Sequence, residues 1–185
     1  MILFVDACAR RDSRTRRLAE HLLGQLDGEV KTLALYEEGL APLEEDTLQF
    51  RTEMIQKGDL SDEYFRYARQ FLEADMIVIA APYWDMSFPS VLKNYIEHVC
   101  ISGVTFRYNE QGNVEGLCKA EKMYYVTSAG GSITNRAFGY GYIEALANVF
   151  GIRDCKCIAA EGLDIQGNNP EQILQDTMRD IETVL

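Results

Sequence analysis

The chain has 185 residues, 47% of them apolar and 25% charged, with a formal net charge of -11. That length suits one domain able to bury about 70% of its unfolded surface, and the composition excludes extended disorder. The acidic balance excludes a nucleic-acid or anionic-membrane partner, which would need clustered Lys and Arg; a small anion held by backbone N–H groups at a helix start stays open.

Met1 runs straight into the apolar residues 2–5, a first strand rather than a signal peptide. No apolar run nears the roughly 18 residues of a membrane span, so no membrane insertion is expected. After a polar loop, Leu18, Leu22, Leu23 and Leu26 recur at helical spacing, with Asp27-Gly28 as the expected stop. Residues 30–35 read as a second strand. A long charged connection follows, with Pro42, an acidic stretch Glu44-Glu45-Asp46 read as a solvated loop, and a helix bearing Leu48, Met54 and Ile55. Residues 62–73 form the next helix pattern, with Phe65, Ala68, Phe71 and Leu72 on one face. Residues 76–81 are continuously apolar, as a central strand covered on both faces requires.

Val91, Leu92, Tyr95, Ile96 and Val99 mark the following helix, and residues 122–127 the fourth strand. Ile143, Leu146, Ala147 and Phe150 form another stripe closed by Gly151, ahead of a fifth strand at 155–160. The last helix starts at Asn169-Pro170, Asn as N-cap and Pro in the first turn, and carries Ile173, Leu174, Met178, Ile181 and Leu185. With no internal repeat or linker, residues 1–185 read as a single domain. Strands alternating with helices predict an α/β three-layer sandwich, with a parallel sheet and helices on both faces.

The five cysteines are odd in number and scattered, which predicts a reducing, cytoplasmic setting rather than a disulfide framework. Cys155 and Cys157 fit alternation on a strand. The two histidines, far apart, give no metal-ligand spacing, and no metal is expected. His98 is read as packing on its own helix.

In such sheets ligands bind beyond the carboxyl ends of the strands, which singles out three loops. The first, around Ser13 and Thr15, offers two hydroxyls beside a helix N-terminus, where the dipole adds about 0.3–1 kcal/mol toward an anion. Simple capping by Asp12 or Ser13, with the arginines on a solvated face, explains it equally well. The second runs Pro82-Tyr83-Trp84-Asp85-Met86 and holds the one Trp of the chain. Aromatic surface gathered at a strand end suits a flat apolar ligand or a partner chain, or else caps the core. The third, Ser128-Ala129-Gly130-Gly131, allows close backbone approach to a ligand, or is a plain turn. Together the three describe a site for a ribityl-phosphate tail and an isoalloxazine ring across the top of the sheet.

Here the sequence resembles the flavodoxin-like NAD(P)H quinone reductases, and within them the FMN-dependent NADH azoreductase group. The resemblance is carried by Ala80-Ala81-Pro82-Tyr83-Trp84-Asp85, Leu92-Lys93-Asn94-Tyr95-Ile96, Gly103-Val104-Thr105-Phe106-Arg107-Tyr108, Thr127-Ser128-Ala129-Gly130-Gly131, Phe150-Gly151-Ile152 and Ala160-Glu161-Gly162. It implies a flavodoxin-like sheet in strand order 2-1-3-4-5, and a homodimer whose second subunit completes each FMN site. It also implies ping-pong transfer from NADH or NADPH through FMN to a quinone, azo compound or similar flat small-molecule acceptor.

By position, Pro82, Tyr83, Trp84, Asp85 and Met86 correspond to the segment lining the flavin ring, with the backbone N–H groups around Trp84–Met86 near N5. Ser128, Ala129, Gly130 and Gly131 correspond to the pyrimidine end. Ser13 and Thr15 correspond to the phosphate hydroxyls, with Cys8 the thiol of the same loop. Trp84 and Tyr108 are the residues expected beside the substrate. The first loop departs from the family pattern in having Ala7-Cys8-Ala9 where a Ser is usual, and the third in having Ala129 in place of Arg. The same fold also serves flavodoxin-type electron carriers, and a flavin-free regulatory or scaffold dimer is the remaining alternative.

Overall fold

The computed structural model describes residues 1–184; Leu185, the last apolar residue expected on the final helix, lies outside the described residues. Five parallel strands form the main sheet: β1 (Ile2–Asp6), β2 (Val30–Ala34), β3 (Met76–Ala80), β6 (Lys122–Ser128) and β7 (Asp154–Ala160). Their spatial order is β2-β1-β3-β6-β7, which is 2-1-3-4-5 when only these five are counted. β4 (Phe106–Tyr108) and β5 (Val114–Gly116) make a separate antiparallel hairpin. The helices are α1 (Arg14–Leu23), α2 (Glu45–Lys57), α3 (Arg66–Glu73), α4 (Ser90–Val99), α5 (Tyr140–Phe150) and α6 (Pro170–Val184).

The period-2 alternation of the strands divides the core into two layers. Ile2, Phe4, Val78, Tyr124, Val126 and Ile158 face Leu18 and Leu22 of α1 and Leu174 and Ile181 of α6. Leu3, Val5, Ile77, Ile79, Met123 and Tyr125 face α3, α4 and α5 through Phe71, Leu92, Tyr95, Ile143 and Phe150. Each fully buried Leu or Ile contributes about 1.5–3 kcal/mol by leaving water, so the central strands are fixed from both sides. A smaller cluster of Phe65, Ala68, Ile101 and Val104 is covered by Met54 and Ile55 of α2. No helix among the described residues is long and apolar enough to cross a membrane.

Several boundaries differ from the sequence reading. α1 stops at Leu23 with Gly24 as its cap, not at Asp27-Gly28. Beyond it the chain tightens into i→i+3 bonds, Gln25 N–H to Leu22 O and Leu26 N–H to Leu23 O, so Leu26 sits outside the helix. The acidic stretch Glu44–Asp46 is not a loop. It starts α2, with the Glu44 N–H donating to Thr47 Oγ1 at 2.9 Å, and acids belong there because the helix N-terminus carries positive partial charge.

The first turn expected of the helix at 62–73 is a 3-10 segment, Glu63–Phe65. The hairpin was not foreseen, since strands of three residues give no periodic signal. Its turn is organised by Asn109, whose Oδ1 accepts from the N–H groups of Gln111 and Asn113. The caps Asn169 and Gly151 are as read: Asn169 Oδ1 accepts from Glu171 N–H at 3.1 Å, and Gly151 adopts φ 85°. His98 is buried, and its Nε2 donates to the Ala41 carbonyl at 2.9 Å, tying α4 to the long connection.

The hairpin is docked by a close backbone crossing. A Cβ on Gly116 would lie 2.0 Å from Gly151 N and from the Phe150 carbonyl carbon, a contact no rotamer change relieves. Gly116→Ala is expected to destabilise the protein by about 1–3 kcal/mol or more. Thermal melting checks this, at roughly 2–4 °C of Tm per kcal/mol for a chain of this size.

Candidate functional site

The carboxyl ends of β1, β3 and β6 lie side by side, and the loops that leave them enclose a cleft of about 290 Å³. Its walls come from all three loops singled out in the sequence. Ser13 and Thr15 line it from the first, Pro82, Tyr83 and Trp84 from the second, and Ser128, Ala129 and Gly130 from the third.

The first loop is shaped by a buried carboxylate. Asp6 closes β1 at 4% exposure; its Oδ1 accepts from Cys8 N–H at 2.9 Å and its Oδ2 from Arg16 Nε at 2.5 Å. The same guanidinium donates to the carbonyls of Cys8 (2.7 Å), Arg10 (2.7 Å) and Arg11 (3.0 Å). One of the two readings of this loop put its arginines on a solvated face, which does not hold for Arg16. It is instead the staple that gives residues 8–11 their path, and only the tertiary position of Asp6 reveals it. Ser13 is the N-cap of α1, its Oγ accepting from Arg16 N–H at 3.3 Å. Capping uses the hydroxyl oxygen as acceptor, so its proton stays available to a ligand. Thr15 Oγ1 and Ser128 Oγ pair at 2.6 Å. One hydroxyl donates to the other, which leaves one O–H of the pair for a further acceptor.

The second loop turns sharply at Trp84–Ser87, where each residue's N–H donates to the other's carbonyl, at 3.0 and 2.8 Å. Asp85 and Met86, at φ 50° and 67°, are the non-glycine residues with left-handed backbone among those described. Each costs about 1 kcal/mol or more in that conformation. Such local strain is held in place by its surroundings. Ser87 Oγ donates to the Phe138 carbonyl at 2.6 Å, and the Tyr83 hydroxyl to the Asn135 carbonyl at 3.2 Å. Residues 133–138 therefore brace the aromatic loop. They are held in turn by Glu161, which accepts from Ile133 N–H at 2.8 Å and Arg136 Nη2 at 2.9 Å. Sequence reasoning missed this brace, although the Ala160-Glu161-Gly162 block pointed toward it. The Trp84 N–H is spent within the turn, while those of Asp85 and Met86 have no partner among the described residues.

The third loop is pinned to the segment after β7 by N–H donors from Gly162 to Gly131 O (3.0 Å), Leu163 to Ala129 O (3.1 Å) and Asp164 to Gly130 O (2.9 Å). A Cβ on Gly130 would stand 2.4 Å from Asp164 Oδ2, whereas Gly131 faces open space. A side chain at Gly130 would thus have to displace the neighbouring carboxylate. Leu163 and Asp164 line the cleft as well, together with Arg10, Asp12 and Arg14; none of these had been singled out as ligand-binding.

Not every expected residue reaches the cleft. Cys8 lies beneath it at 3% exposure, its thiol donating to the Ala80 carbonyl at 3.7 Å. Burial pushes that thiol up to about 12, so it stays protonated at neutral pH and serves the core. Asp85, Met86 and Gly131 stand just beyond the walls. Tyr108 sits on the β4–β5 hairpin, 62% exposed and outside the cleft of its own chain. Among the described residues, no group of three or more His, Cys, Asp or Glu side chains is placed to hold a metal ion.

Arg16→Lys keeps the charge but loses the planar fork that serves Asp6 and three carbonyls. We expect a loss of about 1–3 kcal/mol, with faster amide hydrogen exchange confined to residues 8–13. Unchanged exchange there would mean that other contacts hold the loop.

Comparison with known proteins agrees with this arrangement. A family model described as a flavodoxin-like fold matches residues 1–185. The FMN-dependent NADH:quinone oxidoreductase 2 of Clostridium acetobutylicum is 36% identical over 190 residues, covering 96% of this chain and 94% of its own. The FMN-dependent NADH:quinone oxidoreductase of Clostridium beijerinckii is 33% identical over 188 residues, covering 96% and 93%. The crystal structure of an azoreductase from Bacillus anthracis str. Sterne has a TM-score of 0.84 at 26% identity, covering 99% of this chain and 97% of that one. Matched end to end by the family model and by relatives above 30% identity, the chain belongs to the flavodoxin-like NAD(P)H quinone reductase and azoreductase family.

Proposed function

We propose that this chain is an FMN-dependent NADH:quinone oxidoreductase, a single flavodoxin-like domain that takes quinones and similarly flat acceptors. One observation carries the reading: a cleft that joins a hydroxyl-bearing helix N-terminus to an aromatic turn with two unpartnered N–H groups. The donor set fits FMN. Ser13, the free O–H of the Thr15–Ser128 pair, and the N–H groups opening α1 suit the phosphate. Tyr83 and Trp84 offer flat apolar surface for the ring, and the N–H groups of Asp85, Met86, Gly130 and Gly131 suit its polar edge. These four donate from backbone, so they need no particular side chain, which accommodates Ala129 where the family more often has Arg.

Bound FMN supplies two-electron chemistry between a reduced nicotinamide and the acceptor. The chain's own task is to bind and orient. The strained turn at Asp85–Met86 presents its N–H groups in fixed positions, and Ser87 locks that turn to residue 138. Trp84, 41% exposed beside the cleft, is the flat wall available to a stacking substrate. With no reactive thiol near the cleft and no metal-ligating cluster, no acid or nucleophile of the protein is assigned a step.

A homodimer is part of the proposal. Trp84, Met86 and Phe138 leave apolar surface exposed around the cleft, and the exposed Tyr108 hairpin is free to meet the cleft of a second copy. A cytoplasmic setting fits the five cysteines, all free in the structure. Exchange by a ping-pong cycle suits a single cleft visited in turn by nicotinamide and acceptor.

The test is a visible spectrum after incubation with FMN and desalting. We expect flavin bands to persist, to bleach with NADH and to return when a naphthoquinone is added without oxygen. Retained flavin that NADH leaves oxidised would point to an electron carrier, and no retained flavin would remove the enzyme reading. Parallel double-reciprocal plots and a solution mass of two chains are the expected kinetic and assembly results.

A further inference from the structure

Two residues of the cleft wall carry opposite charge and meet across it. Arg14 opens α1 beside the hydroxyls of Ser13 and Thr15, and its Nη1 donates to Asp164 Oδ1 at 2.9 Å. The other carboxylate oxygen of Asp164 rests against Gly130, where a Cβ would come within 2.4 Å. Asp164 cannot drift away with its loop, because its own N–H donates to the Gly130 carbonyl at 2.9 Å. Its backbone is therefore held at the neck between the helix start and the glycine loop, with the carboxylate within reach of Arg14.

The charges of the wall cancel. Arg10 and Arg14 are balanced by Asp12 and Asp164, so an arriving phosphate dianion meets no net positive field from side chains. Arg14 is the cation of the cleft wall that lies in the first turn of α1, and it is already engaged. The two side chains remain 41% and 69% exposed, a degree of exposure at which an ion pair is screened and exchangeable.

Resting on the FMN reading above, we propose that Asp164 is a specificity-determining residue of the cofactor cleft, competing with the cofactor's phosphate for Arg14. When the phosphate takes Arg14, Asp164 loses its partner and faces the new negative charge across the neck. Asp164 thereby weakens the preference for a phosphorylated flavin over the same flavin without phosphate, and keeps the cofactor exchangeable. The effect acts through the charge of Asp164, whose backbone bond to the Gly130 carbonyl does not depend on its side chain.

Flavin-fluorescence titration of the apoprotein tests this, with FMN and riboflavin as the two probes. Asp164→Asn is expected to tighten FMN about two- to fivefold, within the range an exposed pair allows, and to leave riboflavin affinity unchanged. Arg14→Gln is expected to weaken FMN, and Asp164→Asn to gain less in that background than in the parent chain, because only the like-charge repulsion is then left to relieve. Inorganic phosphate should displace FMN more effectively from Asp164→Asn than from the parent chain. Asp164→Ala should move FMN affinity in the same direction as Asn, and circular dichroism confirms that each variant is folded.

Weaker or unchanged FMN binding by Asp164→Asn, or an equal change for riboflavin, would overturn the competition while leaving the cofactor reading intact. A parent chain that takes up neither flavin would overturn the cofactor reading and this proposal with it.

Discussion

A carboxylate buried at the end of the first strand sets the geometry on which the site depends. Asp6 is nearly inaccessible to water, and an unpaired charge there would cost several kcal/mol. Arg16 removes that cost from ten residues along the chain, and its remaining donors then hold three carbonyls of the loop, those of Cys8, Arg10 and Arg11. One ion pair thus does two things: it stabilises a buried charge, and it fixes where α1 begins. Since Ser13, Arg14 and Thr15 are the residues at that beginning, the hydroxyl-bearing end of the cleft inherits its shape from Asp6.

The opposite end of the cleft rests on different physics. The Asp85–Met86 turn is strained, and strain persists only where the surroundings over-determine it. Here the surroundings are the Trp84–Ser87 backbone pair, the Ser87 hydroxyl on residue 138, and the Glu161 carboxylate behind that segment. The brace runs from β3 through the 133–138 segment to the end of β7, so the ring end is supported by the sheet itself. A rigid set of N–H donors is what a bound heteroaromatic needs, because donors already in place require no reorganisation when the ligand arrives.

Between the two ends lies a neck where charge is balanced rather than accumulated. The chain as a whole is acidic, yet four charged side chains line the cleft in equal numbers of each sign. On the proposed reading, hold on an anion there comes mainly from hydroxyls and backbone N–H groups. Those act at short range and are little affected by the overall charge of the chain.

The sequence by itself determined the layers of the fold and the three loops that matter. Continuous apolar runs at residues 2–5, 76–81 and 123–126 are best satisfied as strands covered on both faces, and the helical stripes between them supply the cover. Loops such as Pro82–Met86 were legible because aromatic surface at a strand end has few other uses. The hairpin at Phe106–Gly116 was not legible, since short strands lack periodicity and Gly116 announces its close crossing only in three dimensions. Arg16, Arg14, Asp164 and the 133–138 brace were also hidden. Each acts through a partner ten or more residues distant, and a charged residue on a polar stretch looks the same in sequence whether it is solvated or bridging. Local composition decides which elements form, while the pairing of charges and the placing of unpartnered N–H groups depend on which chain ends the sheet brings together.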